Sequence, residues 1–177
     1  MKRFALNRRT LVSALAAGTT LGLAALTPLA AAAQDTYPSK VVRIVVPFPP
    51  GGSTDLLARK LGEKLAAQWK QTVIVDNRPG AGGTVGADHV SKSAPDGYTL
   101  LLGVTGSNGI AGSLYPNLPY DPVKGFTPVT AVVTAPLLLV KGERVAAKTV
   151  AELVAAAKAK PGSITYGSPG TGTSMHL

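Results

Sequence analysis

The sequence predicts an α/β fold built on a parallel sheet. Three observations carry that reading. Apolar, β-branched runs alternate with helical stretches. The first run, 41–46, is continuous apart from Arg43, as suits a strand buried on both faces. Four predicted strands, ending near Val46, Val75, Val104 and Tyr166, lead into loops dense in Gly, Ser, Thr and Pro. In open α/β sheets ligands bind beyond the carboxyl ends of the strands, so these loops form the candidate binding surface.

The elements follow in order. After the strand at 41–46, "PFPPGGSTD" opens a helix in which Leu57, Leu61, Leu65 and Trp69 recur every four residues and share a face. Ser53 is its expected N-cap, and Asp55 suits the positive end of the helix dipole. A short strand is expected at 72–75, then the loop "RPGAGGTVG" and a helix over 87–93. "PDGY" at 95–98 is turn chemistry. It precedes a strand at 99–104 and the loop "TGSNG". Further strands are expected at 126–133 and 136–140. Thr149 with Glu152 three residues on is a capping box for a helix running to Lys160, which Pro161 and Gly162 end. "SITYGS" reads as a strand, and "PGTGTSMHL" as another loop and helix start.

The first 33 residues differ from the rest. Lys2, Arg3, Arg8 and Arg9 precede an apolar stretch from 11 to 29, which ends in four alanines at 30–33 and then Gln34. That is the pattern of a cleavable secretory signal. Gly18, Thr19, Thr20, Gly22 and Thr27 dilute it as a membrane anchor. "NRRTLV" also resembles a twin-arginine export signal, so the export route stays open. The whole chain has 18 basic and 9 acidic residues. Losing the signal removes four basic residues and leaves a net charge of +5. The basic residues are scattered, with little aromatic interleaving, so nucleic acid is not an expected partner. A mild positive field favours small anions. The chain has no cysteine, so its core must hold it without disulfides.

"PPGGSTD" is either a plain β–α turn or a ligand loop. Two glycines and two prolines exceed what a cap requires. Gly51 and Gly52 would admit a ligand close to the backbone, Ser53 and Thr54 add hydroxyls, and Gly52 is a candidate for positive φ. Asp55 is expected to point back along the helix. "GAGGTVG" lacks the spacing of a dinucleotide fingerprint and the acidic partner that goes with one. It is a tight loop or a small-ligand contact. No Gly-Lys-Ser/Thr follows any glycine run. His89 and His176 lie in no nucleophile elbow or metal-ligand spacing. Many donors and no reactive group favour a binding protein over an enzyme, and no cofactor is expected.

"VRIVVPFPPGGSTDLLAR", "VIVDNRPGAGGTVGADHVSKSAPDGYTLLLG", "YDPVKGFTPVT" and "GSPGTGTSMHL" together resemble the Bug family. These are the periplasmic solute receptors of tripartite tricarboxylate transporters. The resemblance runs from Tyr37 to Leu177. It implies a two-domain periplasmic-binding-protein fold of type II-like form, closing its cleft on a small carboxylate, with membrane permease subunits as partners. Family chains run well beyond this length, so the second domain is expected to be incomplete. The expected division is a signal at 1–33, domain one at 34–131 and a truncated domain two at 132–177.

Carried over by position, the resemblance implies ligand contacts at Phe48, Gly51, Gly52, Ser53 and Thr54, and at Gly82 and Gly83. It also implies contacts at Thr105 and Ser107, and in domain two at Ser168, Gly170, Thr171, Gly172, Thr173 and Ser174. Phe48 would pack on the ligand's carbon chain, and water-bridged contacts suit a site built from backbone groups. The ligand would be a tricarboxylate, dicarboxylate, acidic amino acid or aromatic acid. A nucleotide-binding α/β enzyme and a ligand receptor for a sensor kinase are the alternative readings.

Overall fold

The computed structural model describes residues 36–177. The signal expected at 1–33 lies outside them. Tyr37–Leu177 forms one unit, and among the described residues no helix is long and apolar enough to cross a membrane. Three parallel strands stand in the order β2-β1-β3: β1 at Val42–Val46, β2 at Val73–Asn77 and β3 at Thr99–Leu101. Val42 pairs with Val73, and Ile44 with both Val75 and Leu100. The central β1 is buried at every position but Arg43, which is why its apolar run does not alternate. Burying each of its valines contributes about 1.5–3 kcal/mol.

Helix α1, Ser53–Trp69, connects β1 to β2. Its innermost residues are Asp55, Ala58 and Gly62 rather than the leucines. A Cβ on Gly62 would lie 3.5 Å from Val73 Cγ1, so small residues let the helix approach the sheet closely. Leu57, Leu61, Leu65 and Trp69 flank that stripe half-buried. The core joins Ile44, Val46, Ala58 and Leu102, with Phe48, Leu65, Val73 and Val75 packed on it. At the amino ends of the strands, Tyr37 meets Trp69 and Tyr98 edge-on or tilted, at centroid distances of 6.0 and 5.1 Å.

Helix α2, Thr84–Ser91, begins three residues earlier than expected. Thr84 Oγ1 donates to Ala81 O at 3.0 Å, which ends the glycine loop at Gly83. Gly86 then sits inside the helix against Pro47, where an added Cβ would lie 3.0 Å from Pro47 Cα. After β3 comes a π-helical turn, Gly106–Ile110, running into the short helix α3, Ala111–Leu114. Helix α4, Val150–Ala159, starts as the capping box predicts. Thr149 Oγ1 accepts from the Glu152 N–H at 3.2 Å, and the Glu152 carboxylate accepts from the Lys148 N–H at 2.7 Å.

Three expected strands are not formed. Residues 126–133, 136–140 and 163–168 are irregular and mostly exposed. A strand persists only where a neighbour takes its backbone groups, and no described residue pairs with these. Strand β3 likewise ends at Leu101 instead of Val104, although the Leu102 N–H still reaches Val45 O at 2.9 Å.

Candidate functional site

The strand order makes β1 a switch point, because the chain passes from β1 to β2 on one side of it and then crosses back past β1 to β3 on the other. At the carboxyl ends lies an open pocket of about 570 Å³. Phe48 and Pro49 from the loop after β1 line it, with Pro79, Gly80, Ala81, Gly82 and Gly83 from the loop after β2. Tyr115, just past α3, and Pro169, Gly170 and Thr171 complete it. None of these side chains is a carboxylate, amine, guanidinium or imidazole.

The loop after β2 makes a left-handed turn. Ala81 has φ 45°, Gly82 φ 64° and Gly83 φ 100°. A non-glycine residue held at positive φ costs on the order of 1 kcal/mol, and such strain concentrates at functional sites. Among the described residues, the N–H groups of Gly80, Ala81 and Gly82 have no acceptor. Successive free N–H groups on a tight turn form a concavity suited to an anion.

A buried cluster fixes the loop after β1. Asp55, 2% exposed, accepts from the Gly51 N–H at 2.9 Å and from Arg59 Nε at 3.0 Å through Oδ2. Its Oδ1 accepts from Asn77 Nδ2 at 2.9 Å. The same Asn77 amide donates to Phe48 O at 3.1 Å, and Arg59 donates to Asn77 Oδ1 at 3.2 Å. The hydrogen bond from Arg59, with those from Gly51 and Asn77, holds the Asp55 carboxyl down at about 2. Asp55 does point along α1 toward Arg59, as expected, but it also turns back to Gly51. It therefore satisfies the loop donor, and Ser53 is not the cap. The N-cap is Gly52, without a side-chain bond.

A family profile, the tripartite tricarboxylate transporter family receptor, matches residues 57–177. The chain belongs to this receptor family. Protein BugT of Bordetella pertussis is 42% identical over 159 residues, which are 89% of this chain and 47% of BugT. The solved structure of R. palustris Rpa4515 with adipate matches with a TM-score of 0.71 and 35% identity, over 77% of this chain and 46% of that one. MatC (Rpa3494) from Rhodopseudomonas palustris with bound malate matches with a TM-score of 0.50 and 45% identity, over 52% of this chain and 32% of that one. This family member has the α/β fold of those binding proteins and spans about half the length of the curated relatives it matches.

The pocket brings together Phe48, Gly82, Gly83, Gly170 and Thr171 from the residues the sequence singles out. Gly51, Gly52, Ser53 and Thr54 lie outside its lining, and the Gly51 N–H is already bonded to Asp55. Positive φ falls on Gly51, at 90°, while Gly52 is extended at φ −78°. Thr105 is exposed and also outside the lining. Ser107 is enclosed, with its hydroxyl donating to Asn108 Oδ1 at 2.7 Å. Its carbonyl accepts from Tyr120 Oη at 2.7 Å. Burial pushes the Tyr120 phenol up to about 12.

In the last loop, Ser168 and Thr173 direct their hydroxyls to Gly170 O, at 3.2 and 2.8 Å. Gly172 is buried against Leu114 and Tyr115, and Ser174 is half-buried outside the pocket. Sequence reasoning missed Tyr115 and Asn77, and it placed Pro49, Pro79 and Pro169 in loops without naming them as wall residues. "RPG" and "SPG" signalled turns, but nothing local marks Tyr115 or Asn77.

Proposed function

We propose that this chain is a periplasmic solute receptor that captures a small carboxylate for a tripartite tricarboxylate transporter. The observation that carries the reading is the left-handed turn at Ala81 and Gly82. It leaves three backbone N–H groups without acceptors on the wall of a pocket otherwise built from Phe48, prolines and Tyr115. Backbone donors hold the carboxylate, directly or through water, and the apolar walls take the carbon body. Related proteins have been solved with adipate and with malate, which fits an acid of that size.

In this reading the contacts come from Phe48, Gly82, Gly83, Gly170 and Thr171, and residues 1–33 direct export and are removed. A second lobe begins near residue 132, and permease subunits take the loaded receptor. The function is capture rather than catalysis. Isothermal calorimetry of the chain with adipate, malate, citrate, glutamate and benzoate tests it, with ATP and NAD as controls. Binding of at least one acid and of neither nucleotide is expected. Binding of a nucleotide alone would overturn it.

A further inference from the structure

We propose that Tyr115 is a positioning residue that pins the loop at 168–174 onto the pocket and so sets the width open to the ligand's carbon body. The width claim rests on the solute-receptor reading. The pinning stands on geometry alone.

Tyr115 leaves α3 with an extended backbone, φ −104° and ψ 114°. Its hydroxyl donates to Thr171 O at 3.0 Å, across 56 residues of sequence. Among the described residues, this is the one hydrogen bond joining the 168–174 loop to the chain before residue 160. The bonds of Ser168 and Thr173 to Gly170 are local. They shape the loop without attaching it.

The ring also lies against Gly172, where an added Cβ would meet Tyr115 Oη at 3.4 Å and Cε2 at 3.5 Å. Thr171 and Tyr115 both line the pocket. Loss of the hydroxyl therefore frees a wall segment, and loss of the ring removes another part of the wall.

The test compares wild type, Tyr115→Phe and Tyr115→Ala in the full chain. In the first arm, hydrogen–deuterium exchange without ligand should rise about fivefold across 168–174 in Tyr115→Phe, the scale of one lost hydrogen bond, and stay unchanged in β1. Unchanged exchange in that loop would overturn the pinning. In the second arm, calorimetry with adipate and 2-naphthoate reads selectivity. Tyr115→Phe should bind adipate about fivefold more weakly. Tyr115→Ala should shift the preference about tenfold toward the bulkier naphthoate.

A uniform loss for both acids would mark a merely structural role and overturn the width claim. A wild-type chain that binds neither acid overturns the width claim, and one that also binds none of malate, citrate, glutamate and benzoate overturns the receptor reading with it. The exchange arm would still decide the pinning.

Discussion

The carbonyl oxygen of Thr171 occupies the space that a Cβ on Gly82 would need. The loop after β2 and the loop near the end of the chain thus meet backbone to backbone, and this contact closes one side of the pocket. Gly82→Ala should push the Thr171 loop outward, because a carbonyl cannot yield as a flexible side chain can. The expected cost is about 1–3 kcal/mol in stability and at least tenfold in acid affinity, which is about 1.4 kcal/mol. Denaturant melts and calorimetry check both. Wild-type affinity in Gly82→Ala would show that the contact does not shape the site.

The two glycines after β1 should behave differently. Gly51 sits at φ 90° with open space where a Cβ would stand, so Gly51→Ala should lose about 1 kcal/mol from backbone strain alone. Gly52 is extended, and an added Cβ would only touch Pro49 O at 3.9 Å. Since Gly52 lies outside the pocket but caps α1, Gly52→Val should lose about 0.5–1 kcal/mol of stability and bind acid within about threefold of wild type. A tenfold loss would place the ligand over the start of α1 instead.

Acid should act through Asp55. Its carboxyl titrates at about 4 when unfolded and at about 2 when folded. Below about pH 4 the unfolded chain takes up the proton first. The stability from this group is therefore present above about pH 4 and lost as pH falls toward 2. Asp55→Asn should melt lower than wild type at pH 7 and show a flatter profile between pH 4 and 2. Thermal melts across that range read it, and an unaltered acid profile would assign the transition to other carboxylates.

Leu138 and Leu139 are 80% and 74% exposed, in an apolar run with Leu137 and Val140. Continuous exposed apolar surface drives association. Replacing Leu138 and Leu139 by lysine should lower light scattering at micromolar concentration without lowering the melting temperature. Equal scattering would point to another surface.

The sheet was legible where the cause was local. The run at 41–46, apolar apart from Arg43, announced a buried strand, and Thr149 with Glu152 announced a helix start. The loops at the strand ends were found because α/β topology dictates where they fall. The strands expected at 126–140 were not legible, because a strand is a pairing event and composition supplies only half of the pair. Asp55 read as a dipole-compensating residue because Asn77, its partner 22 residues on, carries no local mark. Tyr115 stayed hidden for the same reason, since its meaning comes from a carbonyl 56 residues away.

The donors at Gly80, Ala81 and Gly82 belong to the main chain, and mutation cannot delete a peptide N–H except by installing proline. In the proposed reading the pocket therefore separates donors that a side-chain exchange cannot remove, though one that displaces the turn, such as Gly82→Ala, can misplace them, from walls that substitution remodels directly. Under the proposed reading, a lineage carrying this turn can drift from one acid to another by exchanging Phe48 or Tyr115, without passing through an ancestor that holds no anion at all.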